Sequence, residues 1–186
     1  MSARERLLSA ALPRAECIHQ RRELEAAIAR VGGEVTRALQ GERAVFLTVM
    51  NGGMFFAAAL ALVVDGDLEF DYVHATRYGD ATVGRDVRWL RRPSVRLAGR
   101  TVILADDILD EGYTLAALRD YCLAAGARRV LTAVLCVKRH DRRVAGLKPD
   151  FAGVEVPDRY VFGYGLDYFG QGRNLPCIYA LPEGET

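Results

Sequence analysis

The sequence predicts an α/β protein, a parallel sheet flanked by helices with a small C-terminal hood. Three observations predict it. Apolar runs of strand length recur with helical segments between them, and they are near-continuous, as strands buried on both faces require. The runs end in glycine-rich or acidic turns. After about residue 150 the pattern dissolves into short strands, glycines and aromatics, a stretch too short to stand as a domain. The 186 residues therefore read as one domain, 1–186, with a core over about 40–145 and a hood from about 150–186 plus N-terminal residues.

The elements follow in order. Residues 20 to about 40 carry Leu24, Ala27, Ile28, Val31, Val35 and Leu39 on one helical face, with Gly32-Gly33 expected to weaken or kink the helix. Residues 44–50 form a buried strand, and Asn51-Gly52-Gly53 turns it into an apolar helix over about 54–64. Strands are expected over 68–76 and 87–91; between them, residues 77–86 lose all periodicity. A strand over 101–105 leads through an acidic turn to a helix over 113–125 that stops at Gly126. A last core strand covers 130–137.

Composition excludes several classes. A net charge of +1 gives no broad electrostatic footprint for nucleic acid. No apolar stretch reaches membrane-spanning length, and the N-terminus has no apolar signal core. Cys17, Cys122, Cys136 and Cys177 lie far apart without metal-like spacing, so they read as reduced core thiols of a cytoplasmic protein. Of 25 cationic side chains only two are lysines, Lys138 and Lys148, which draws attention to each. His19, His74 and His140 show no triad spacing, and Asp141 with Arg142-Arg143 reads as a solvated charge run.

Residues 102–114, Val-Ile-Leu-Ala-Asp-Asp-Ile-Leu-Asp-Glu-Gly-Tyr-Thr, carry the chemistry. A strand that meets Asp106 and Asp107, then turns through Asp110 and Gly112 into a helix at Thr114, suits a sugar phosphate. The helix end offers backbone N–H groups and partial positive charge to the phosphate. The acids can hold ribose hydroxyls or hydrated Mg²⁺. In open sheets, ligands bind beyond the carboxyl ends of the strands. Asn51-Gly52-Gly53 and Lys138 end their strands on that same side.

This stretch resembles the phosphoribosyl-pyrophosphate signature of the type I phosphoribosyltransferases, with Glu111 where the family usually has threonine. Val49-Met50-Asn51-Gly52-Gly53, Val137-Lys138-Arg139, Lys148-Pro149-Asp150-Phe151 and Pro157 to Tyr168 resemble the hypoxanthine-guanine branch. The resemblance implies that Asp106, Asp107, Asp110, Glu111, Gly112, Tyr113 and Thr114 hold the donor. It assigns pyrophosphate to Asn51, Gly52, Gly53, Arg77, Tyr78 and Arg173, with a peptide before the glycines that can be cis. It assigns the purine to Lys138, Tyr160, Val161 and Asp167, and Mg²⁺ to Asp106, Asp107 and Asp167. Arg77-Tyr78 opens a lid over 77–86 in a place where the branch has Ser-Tyr.

The implied reaction is transfer of phosphoribosyl from phosphoribosyl pyrophosphate to hypoxanthine or guanine, with Asp110 as general base. A xanthine-preferring transferase and a non-catalytic nucleotide sensor remain open. The implied partners are small molecules, with no nucleic acid or membrane, in a homodimer or homotetramer.

Overall fold

The computed structural model describes residues 7–77 and 87–185. Two short N-terminal turns, α1 (Leu8–Ala11) and a 3-10 turn over Leu12–Arg14, lead into β1 (Glu16–His19). The core then runs α2 (Arg21–Leu39), β2 (Ala44–Met50), α3 (Met54–Ala61), β3 (Leu68–Arg77), β4 (Val87–Arg91), β5 (Thr101–Leu109), α4 (Tyr113–Ala124), β6 (Arg129–Lys138) and β7 (Phe151–Val156). The chain closes with β8 (Val161–Phe162) and β9 (Ile178–Ala180).

Six strands form the main sheet in the order β4-β3-β2-β5-β6-β7. All its pairings are parallel except β3 with β4, an antiparallel edge. Strand alternation divides the core. Ala44, Phe46, Ile103 and Ala105 face α2 and α3, while Val45, Leu47, Val49, Val102 and Leu104 face α4. Phe46 is fully buried, and burial of such a side chain stabilises by about 1.5–3 kcal/mol.

Four expectations need correction. First, Gly32-Gly33 does not break α2, which is continuous from Arg21 to Leu39. A Cβ at Gly32 would come within 2.6 Å of the Val63 side chain, so the glycine serves the close approach of the chain after α3. Second, β5 does not stop at 105. It continues through Leu109, because β6 pairs with it as far as Leu109 and Val137. Third, residues 151–156 are not hood: they form the sixth core strand, opened by Asp150, whose carboxylate accepts the Thr132 N–H at 2.8 Å. Fourth, Cys122 and Cys136 are buried, but Cys17 is exposed and Cys177 half-buried.

A second sheet in the order β1-β9-β8 caps the carboxyl end of the first. Its N-terminal strand pairs antiparallel with the last strand of the chain, Glu16 opposite Ala180. Ala11, Phe162, Tyr168 and Leu181 form its own small core. Among the described residues no helix is long and apolar enough to cross a membrane.

Candidate active site

A cavity of about 590 Å³ opens where β2 and β5 end, between the main sheet and the small one. β2 pairs with β5 only as far as Thr48 and Ala105. Beyond that point β2 turns away at Asn51, and β5 presents Asp106 and Asp107 to the cavity. The cavity is also lined by Asn51, Gly52, the turn from Asp110 to Thr114, Arg142, Asp167 and Arg173.

The acidic pair is crowded. Asp106 is only 8% exposed, and its Oδ1 accepts the Asp107 N–H at 2.9 Å. Burial first, and then the neighbouring Asp107 charge, push the Asp106 carboxyl well above its ordinary value. Asp107 is also raised, chiefly by burial, against the opposing hydrogen bond from Asp106 and the positive charge of Arg173. Two adjacent carboxylates are hard oxygen donors, which suit Mg²⁺. Among the described residues no three His, Cys, Asp or Glu side chains converge on one metal position. Mg²⁺ commonly takes one or two protein carboxylates and completes its shell with phosphate and water, so this donor set fits the ion.

The glycine loop is locked against these acids. A Cβ at Gly52 would occupy the space of the Asp107 carboxylate, and one at Gly53 would lie 2.7 Å from the Ala105 and Val49 carbonyl oxygens. The Met50–Asn51 peptide is cis. From the hood, Gly165 (φ +104°) lays its Cα against the Gly52 carbonyl, an approach and a conformation that only glycine accepts. The hood and the loop therefore meet backbone to backbone.

Asp110 follows β5 and faces the opposite environment. Its Oδ2 accepts the Lys138 Nζ at 2.7 Å, and its Oδ1 accepts the His140 ring at 2.7 Å. Burial alone would raise this carboxyl, but the Lys138 and His140 contacts outweigh it and hold Asp110 below its ordinary value. Gly112 (φ +87°) then starts α4. A Cβ there would strike Leu147 and come within 2.9 Å of Leu109. Glu111 is half-buried, and its carbonyl accepts the Val144 N–H at 2.9 Å, which ties the turn to the loop after β6. The first-turn N–H groups of α4 lie beside the Thr114 side chain at the cavity wall.

In the hood, Asp167 accepts Arg173 Nη2 at 2.7 Å and the Gly170 N–H at 2.7 Å. Arg173 Nη1 also donates to the Gly165 carbonyl at 2.6 Å. Both side chains line the cavity. Tyr160 and Val161 sit outside that lining. The Tyr160 ring stacks on Phe169 with centroids 6.1 Å apart, and its hydroxyl donates to the Asp167 carbonyl at 3.2 Å. Val161 is buried and pairs with Ala180. Arg77 ends β3, and Tyr78 with the rest of 78–86 lies outside the described residues.

Sequence reasoning missed three residues here. His140, read without a role, is bonded to Asp110. Arg142, read as solvated, lines the cavity and grips Asp158 with two bonds of 2.7 and 2.8 Å. Arg143 Nη2 donates to the Lys138 carbonyl at 2.7 Å and steadies the strand end. The one available signal was the density of charge directly after Lys138.

Comparison with known proteins gives the same assignment from outside the geometry. The phosphoribosyl transferase domain family matches residues 15–168. The chain is 34% identical over 160 residues to the hypoxanthine-guanine phosphoribosyltransferase of Bacillus subtilis, covering 86% of this chain and 88% of that one. It is also 34% identical to the bifunctional TilS/HprT of Listeria innocua, of which it spans only 24%. A crystal structure of a hypoxanthine phosphoribosyltransferase from Staphylococcus aureus superposes with a TM-score of 0.87 at 25% identity, covering 95% of this chain and 96% of that one. A parallel sheet, an acid-lined turn into a helix and a glycine loop under a hood, together with these matches, establish that the chain belongs to the phosphoribosyltransferase family.

Proposed function

We propose that this single-domain phosphoribosyltransferase works in purine salvage in the cytoplasm. It moves 5-phosphoribosyl from phosphoribosyl pyrophosphate to N9 of hypoxanthine or guanine, giving IMP or GMP and pyrophosphate. One observation carries the reading: Asp110, at the mouth of α4, is held by the lysine that ends β6. That pairing brings a base and a purine-reading cation together beside a phosphate-binding helix end.

The chain's own groups divide the work. Glu111 to Thr114 and the start of α4 receive the 5′-phosphate. Asp106 and Asp107 hold the ribose hydroxyls. Asn51, Gly52 and Gly53 offer backbone donors to pyrophosphate, and Arg173, Arg77 and Tyr78 complete its binding. Asp106 and Asp107 would hold one Mg²⁺ and Asp167 a second, which when bound would supply a charge clamp on the leaving group. Tyr160 stacks on the purine and the Val161 backbone reads its edge.

Lys138 leaves Asp110 to donate to the 6-oxo oxygen. A lysine ammonium has only donors, so adenine would leave donor facing donor at a cost of about 1–3 kcal/mol or more. The departure of Lys138 also removes the larger of the two contacts that hold Asp110 low, so Asp110 becomes a better base as the purine docks. Asp110 then takes the N7 proton as the N9 bond forms. The hood and the 77–86 lid exclude water from the donor. Assembly into a homodimer or homotetramer is supported by the exposed Met54, Leu62 and Val63 on and just beyond α3.

Ultraviolet absorbance tests the reading. The protein is mixed with donor, Mg²⁺ and each of hypoxanthine, guanine, xanthine and adenine. Nucleotide forms with hypoxanthine or guanine, and at least about 100-fold more slowly with adenine. Tight donor binding without turnover on any base would overturn it.

A further inference from the structure

His140 has no place in the scheme above, yet it is among the most enclosed polar groups at the site. Its side chain is 2% exposed, against 14% for Lys138 and 39% for Asp110. Both of its ring nitrogens are engaged. Nδ1 lies 3.1 Å from the Arg142 backbone nitrogen, and a backbone N–H can only donate. Nδ1 therefore carries the lone pair and Nε2 the proton. Nε2 lies 2.7 Å from Asp110 Oδ1 and donates to it.

The loop that sets this tautomer is itself fastened. Arg142 grips Asp158, Arg143 holds the Lys138 carbonyl, and Val144 N–H reaches the Glu111 carbonyl at 2.9 Å. The ring cannot turn without losing its contacts to Asp110 and to the Arg142 backbone.

We propose that His140 is a positioning residue for Asp110, holding Oδ1 so that Oδ2, once Lys138 has left it, stays aimed at the incoming purine. Lys138 and His140 occupy different carboxylate oxygens, so one bond can break while the other persists. Without the His140 bond, an Asp110 carboxylate that Lys138 has left could pass to another rotamer. The inference deepens the proposed reaction and rests on Asp110 being the base.

The test compares Asp110→Asn, His140→Leu, which fills the space without a donor, and His140→Gln, whose amide can donate from the same place. His140→Leu is expected to lower kcat by about 10- to 100-fold, the cost of misplacing a catalytic group by an ångström or less. Its dissociation constant for phosphoribosyl pyrophosphate stays within about 3-fold of the parent. His140→Gln recovers most of kcat. Wild-type kcat in His140→Leu, while Asp110→Asn is inactive, overturns the role of His140 and leaves the reaction standing. Full turnover in Asp110→Asn overturns the reaction scheme itself. Nitrogen-15 NMR of the wild-type imidazole gives a reading that needs no variant. The expected result is a proton on Nε2 and none on Nδ1, and the opposite tautomer overturns the proposal.

Discussion

Asp106 and Asp110 are four residues apart on one strand end, and their carboxyls are displaced in opposite directions. Asp106 is buried beside another acid and pushed up, while Asp110 lies between a lysine and a histidine and is pulled down. Spacing along the chain is almost irrelevant to this contrast. The strand brings Asp106 under the glycine loop and beside Asp107, which the positive charge of Arg173 steadies. The turn swings Asp110 toward Lys138 at the end of β6 and His140 just beyond it. One acidic cluster thus contains a crowded pair whose carboxyls are pushed up and a single carboxylate held low by two partners.

The largest expected effect comes from breaking the low side of the contrast. Asp110→Asn keeps the shape and loses the proton acceptor, so kcat falls by about 100-fold or more while the donor dissociation constant moves little. Equal losses in both would reduce Asp110 to a ribose ligand. Arg173→Gln widens the contrast from the other side by removing the charge that draws Asp107 down. A charged hydrogen bond contributes about 1.5–3 kcal/mol, so the KM for pyrophosphate in the reverse reaction rises about tenfold or more. An unchanged KM would remove Arg173 from the leaving-group site.

The smallest effect is on stability. Asp106 binds its proton more tightly folded than unfolded, so wild-type stability falls as pH climbs from the ordinary carboxylate range toward the raised value. Asp106→Asn removes the Asp106 share of that slope and leaves the share of Asp107. At pH 8 the variant melts higher by a few degrees, roughly 2–4 °C for each kcal/mol regained in a chain of this size. The gap closes as pH falls toward 4. A gap that widened in acid would contradict the crowding.

Much of this was legible in the sequence because periodicity reports burial directly. The α2 face, β2, β3, β5, α4 and β6 all follow from apolar spacing. The turn from Asp106 to Thr114 was legible because few structures other than an anion site need acids, glycine and a helix start in that order. Lys138 stood out by rarity. What stayed hidden depends on partners distant in sequence. Gly32 resembles a helix breaker until Val63 lies against it. Residues 151–156 lack a long apolar run, and only β6 beside them makes them a strand. The proton donor to Asp110 was invisible because His140 owes its function to a loop fastened at three points.

The pairing of Glu16 with Ala180 has a consequence for anyone trimming this protein. The small sheet above the cavity is woven from both ends of the chain, and two of its three ribbons are only two and three residues long. Cutting away the opening nineteen residues would look harmless on paper. In space it would strip one ribbon and leave Ile178 and its neighbours clinging to a two-residue partner, so the entrance to the catalytic chamber would come loose far from where the cut was made.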